Sequence, residues 1–141
     1  MRGDKVQLLK RRAQRFLYNA KNDYKEGFYD LSAFHVEQAL QLYIRAVIFE
    51  LFGKEYRGHG IRELLGYSSK LLRENEYENL SRKVSEIIAE FREQLIHIED
   101  AYITSRYEII EYNSEDIKSL IETAEKLIGF LEEVVKSVKL G

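Results

Sequence analysis

The 141-residue chain is 45% hydrophobic and 33% charged, with a formal net charge of -2, a composition that describes one globular domain over residues 1–141 and excludes a disordered chain. It has no cysteine, which excludes disulfides, thiolate zinc sites and cysteine nucleophiles and makes a reducing cytoplasm the expectation. No apolar run approaches the roughly 20 residues needed to cross a bilayer, and the opening MRGDKVQLLKRR lacks the apolar core of a signal peptide, so neither membrane insertion nor secretion is expected.

Prolines are absent, and Val and Ile fall within 3.6-period stripes, which predicts helix throughout. A first helix is expected from about Asp4, as N-cap, to Glu26, with Leu8 or Leu9, Ala13, Phe16, Leu17 and Ala20 facing inward and Gly27 ending it. The second, about Asp30 to Phe52, is apolar over most of its circumference and should be the central helix. GKEYRGHG, Gly53 to Gly60, is the clearest loop. A short helix from Ile61 to Glu74 follows, and a fourth from near Tyr77 runs on into FREQLIHIEDAYITSRY, residues 91–107. After a loop around Tyr107 to Tyr112, Ser114 with Glu115 and Asp116 marks the start of the last helix. Four long helices and one short one predict an all-α, antiparallel up-and-down bundle of about five helices.

Charge is polarised along the chain. Residues 1–25 carry eight Lys/Arg against two Asp/Glu, whereas residues 108–141 carry four against eight. Two uses follow: the first and last helices can lie side by side, or Lys10, Arg11, Arg12 and Arg15 can form a patch for nucleic-acid phosphates. High charge with one methionine also suits a thermophile.

Chemistry concentrates in residues 91–107. Arg92 and His97 pair a phosphate-stabilising guanidinium with a proton-shuttling imidazole, the requirement of metal-free RNA cleavage. Five residues on a helix turn through about 500°, so the two point about 140° apart and need a bend, a long reach or a second subunit. The bare spacing is of the order expected by chance from 11 Arg and three His. His35 reads as a hydrogen-bonded core histidine and His59 as a loop and capping residue. Tyr102, Tyr107 and Tyr112 near Arg106 can stack on bases or pack a bundle end. No Glu-x-x-His pairs or phosphate-binding glycine loops occur, so no metal site and no cofactor are expected.

FLYNAKNDYKEGFYDLSAFHVEQALQLYIRAVIFELFG, then HGIRELL, then AYITSRY, resembles the HEPN domain (higher eukaryotes and prokaryotes nucleotide-binding). Phe16, Leu17, Ala20, Asp23, Gly27, Phe34, His35, Gln38, Ala39, Gly53, His59, Tyr102, Ser105, Arg106 and Tyr107 carry much of the match. The resemblance implies a dimerising helical bundle. It also implies a nucleotide- or RNA-interacting partner of a minimal nucleotidyltransferase in a toxin–antitoxin-like pair, with Arg106, Tyr107, His35 and His59 in binding. Many members are metal-independent ribonucleases using Arg-x(4–6)-His across a dimer, which here implicates Arg92 and His97. FREQLIH resembles that motif but carries Glu93, whose negative charge opposes a phosphate, where the active form has a small polar residue. A non-catalytic protein-interaction module is the third possibility.

Overall fold

The computed structural model describes residues 2–107 and 111–141, the side chains of 104–107 excepted. Among them the apolar stripes form six α-helices and no strand: α1 (Arg2–Glu26), α2 (Tyr29–Phe52), α3 (Ile61–Glu74), α4 (Glu78–Glu90), α5 (Arg92–Tyr107) and α6 (Ser114–Leu140).

The expected count of about five is corrected by Phe91, which splits the fourth helix. Its backbone (φ -101°, ψ 19°) leaves the helical well, yet its N–H still donates to the Ile87 carbonyl at 3.0 Å and its own carbonyl accepts from Leu95 N–H at 2.8 Å. α4 and α5 therefore form a broken rod whose joint packs the Phe91 ring on the core. Two caps also differ from expectation. α1 starts at Arg2, which puts Asp4 in its first turn. α6 is capped by Asn113: its side chain accepts from Asp116 N–H at 2.8 Å, and Asp116 accepts from Asn113 N–H at 3.2 Å, a capping box. Ser114, expected to cap, instead places its hydroxyl 3.0 Å from that of Tyr24. The loop expected around Tyr107 to Tyr112 has its middle, 108–110, outside the described residues.

Charge and hydrogen-bond pairing define the topology. Lys5–Glu55 and Lys10–Glu50 run α1 antiparallel to α2, and Lys10–Glu132 and Lys21–Glu125 run α1 antiparallel to α6. Tyr43–Glu132 and Glu50–Lys139 make α2 and α6 parallel. α2 is the central helix, packing on α1, α3, α5 and α6. Its Leu40, Ile44 and Ile48 are almost fully buried, each contributing about 1.5–3 kcal/mol. α2 ends at Gly53, whose φ of 65° is left-handed, as a helix C-terminus that reverses direction favours. Among the described residues no helix is long and apolar enough to cross a membrane.

Candidate functional site

The 53–60 loop does not project from the end of α2; it folds back along it. Arg45, about two turns before the end of α2, donates to the carbonyls of Tyr56 and, at 2.6 Å, Gly58. The same guanidinium reaches the Gln41 side-chain oxygen at 3.3 and 3.4 Å, and Gln41 donates to the buried Glu37 carboxylate at 2.6 Å. Gln38 donates to the other Glu37 oxygen at 2.7 Å. Glu37, Gln41 and Arg45 stand four residues apart, so they share one face of α2 and link a buried carboxylate to the loop backbone. Gly58 serves the close approach: a Cβ there would lie 2.3 Å from the Tyr56 ring and 2.6 Å from the Glu63 carboxylate.

The loop delivers His59 to α5. Its exposed imidazole stacks on Tyr102 with centroids 5.7 Å apart and 14° between planes. One turn back on α5, Glu99 accepts from the Arg62 guanidinium at 2.6 Å and lies 3.4 Å from the Arg62 backbone N–H. It thereby supplies an acceptor at the start of α3, whose N-cap residue, Gly60, has no side chain to do so. Arg106 follows Tyr102 by four residues on the same helix, the register of a shared face. The side chains of Arg106 and Tyr107 lie outside the described residues.

His35 occupies a different setting. Its Nδ1 is 2.5 Å from the Asp23 carboxylate, and its ring packs between Phe16 and Phe34, with centroids 5.8 and 5.9 Å away. It ties the start of α2 to the end of α1.

Arg92 and His97 are both exposed and both on α5. The bend at Phe91 precedes Arg92, so it does not bring the two onto one face. His97 borders a cavity of about 230 Å³ whose other walls include Asp100, Glu111 and Asp116. That space is below the 300 Å³ or so of common ligand pockets, and three carboxylates oppose a phosphate. Among the described residues no three His, Asp or Glu side chains are grouped to hold a metal ion.

A family model for the HEPN domain matches residues 6–134, nearly the whole chain. The chain belongs to the HEPN family. Comparison with curated proteins and with solved structures returned no match.

HEPN membership connects this bundle to nucleotide- and RNA-related functions in the broad sense. In this HEPN chain Asp23, Phe34 and His35 meet across the α1–α2 joint, while His59 and Tyr102 meet across the loop and α5. The residues that inspection of the sequence passed over are Glu37, Gln41 and Arg45. Their signal was available: polar side chains at every fourth position, 37, 41 and 45, inside a helix apolar over most of its circumference.

Proposed function

We propose that this HEPN protein is the nucleotide- or RNA-interacting partner of a minimal nucleotidyltransferase, acting as a homodimer in a toxin–antitoxin-like pair in the cytoplasm. The binding surface is the end of α5 with the loop packed on it, where Arg106 and Tyr107 contact the ligand beside His59, and His35 holds the neighbouring helix joint. The observation that supports this reading is the His59–Tyr102 stack: two flat rings, one exposed and one half-buried, one helical turn from an arginine. Aromatic rings suit bases, and an arginine in the same helical register suits phosphates. Titration with ATP, GTP and short RNA at low salt is expected to give a saturable signal with at least one of them. No saturable signal with any overturns the reading.

A second reading is a metal-independent endoribonuclease in which His97 moves the proton and Arg92 clamps the phosphate across two subunits. It is favoured by the exposure of both side chains, which leaves them accessible to a second copy.

A further inference from the structure

The outer face of α1 is exposed. Leu8, Arg11, Arg15 and Tyr18 recur at steps of three and four, which places them on one stripe. At about 100° per residue that stripe lies opposite the buried Val6, Ala13, Leu17 and Ala20. With Lys10 and Arg12 it lines an open groove of about 680 Å³ that has no acidic residue in its walls.

From Lys5 to Lys21 the basic residues of α1 divide into two groups. Lys5, Lys10 and Lys21 each meet a carboxylate of α2, its loop or α6. Arg11, Arg12 and Arg15 meet none among the described residues, although they crowd into little more than one helical turn. Like charges three and four residues apart destabilise a helix by a few tenths of a kcal/mol, so the cluster works against the helix that carries it. Beside it, Arg15 sits 4.9 Å from the centroid of the Tyr18 ring, and that ring is left 54% exposed. Leu8 at the other end is 43% exposed. An unneutralised guanidinium row with an exposed aromatic at its end is the arrangement that tracks a single strand: the forks take phosphate oxygens and the ring takes a base. From Leu8 to Tyr18 the stripe is about 15 Å long, room for a few nucleotides.

We propose that the Arg11–Arg12–Arg15 face of α1, ending at Tyr18, is a binding track for the phosphodiester backbone of single-stranded RNA. It rests on the RNA limb of the function proposed above, and it shares no residue with the loop–α5 surface. The occupant is RNA and not an acidic helix because an exposed ring, suited to a base, lies in line with Arg forks that meet no carboxylate among the described residues.

The test is fluorescence anisotropy with short poly-U and poly-A across a salt series. It compares the wild type with R11Q/R12Q/R15Q, with Y18L, and with K70Q/K83Q/K118Q, which removes the same charge from exposed positions elsewhere. The α1 triple variant is expected to bind at least about tenfold more weakly and to lower the salt slope by about 2, the share of three single-strand phosphate contacts. Y18L is expected to weaken binding about tenfold with the slope kept, as loss of one stacked base does. The control triple should keep the wild-type slope, and thermal melts verify that all variants fold. Saturable wild-type binding with an unchanged α1 triple variant overturns this track and leaves the loop–α5 surface standing. An α1 triple that binds RNA normally but loses a nucleotidyltransferase partner overturns it in favour of protein docking. No wild-type binding to either oligonucleotide overturns the track together with the RNA limb on which it rests.

Discussion

The imidazole of His59 lies nearly parallel to the ring of Tyr102, at 5.7 Å between centroids and 14° between planes. The contact joins a loop that follows α2 to the helix that carries Arg106, and it is made by an exposed side chain whose removal leaves the core intact. His59→Ala is therefore expected to weaken nucleotide or RNA binding several-fold while shifting the melting temperature by no more than about 2 °C. Isothermal titration alongside thermal denaturation checks both halves. A variant that binds as the wild type does would remove His59 from the site.

Arg45 holds the loop that presents His59. Arg45→Met leaves two loop carbonyls and the Gln41 oxygen without their cationic donor, a loss of about 1.5–3 kcal/mol. Urea unfolding should show that drop, and hydrogen exchange should speed up at the amides of residues 54–60. Arg45→Lys is expected to recover less than half of it, because one ammonium lacks the planar fork that serves several acceptors at once. Full recovery by lysine would mean that charge alone matters at this position.

Glu50 and Lys10 make stability depend on pH at both ends of the scale. Burial alone would raise the Glu50 carboxyl, but hydrogen bonds from Lys139 and Lys10 outweigh it and hold the group below its ordinary 4.5. Burial alone would lower Lys10, but Glu132 and Glu50 outweigh it and hold the amine above its ordinary 10.5. A lowered carboxylate contributes stability above its ordinary value and loses it as pH falls through the folded one. A raised amine contributes below its ordinary value and loses it as pH rises through the folded one. Unfolding midpoints should be flat near neutrality and decline in acid and in strong base. Glu50→Gln should be less stable near neutrality and flatter as pH falls through and below the ordinary carboxyl value of 4.5. An acid limb as steep as the wild type's would show that other carboxylates dominate it.

The two functional readings part at His97. With Asp100, Glu111 and Asp116 around the same small cavity, the binding reading expects His97→Ala to leave RNA affinity unchanged and expects no cleavage by the wild type in EDTA. The ribonuclease reading expects cleavage in EDTA that disappears in His97→Ala with the fold retained. A gel assay of a labelled RNA, paired with circular dichroism of the variant, decides between them.

Residues near one another in the chain determined a good deal. The helical class, the inner faces of α1 (with Leu9 turned inward and Leu8 outward) and α6, the burial of α2 over most of its circumference and the position of the 53–60 loop were legible because each depends on neighbours within two turns: a 3.6-residue period, a glycine cluster and the lack of proline. The family was legible as well, since its marks run in order along the chain. Even local reading missed the break at Phe91, where the apolar period continues although the backbone does not.

Which charges would be satisfied was decided only by the tertiary structure. Lys10 and Arg11 are adjacent in sequence and equivalent in composition. Lys10 points at Glu50 and Glu132, 40 and 122 positions away, while Arg11 points at solvent. The buried Glu37 likewise reaches the loop through Gln41 and Arg45. Helical register is set by the nearest turns; the partner of a side chain is set by how helices far apart in the chain come to lie against one another.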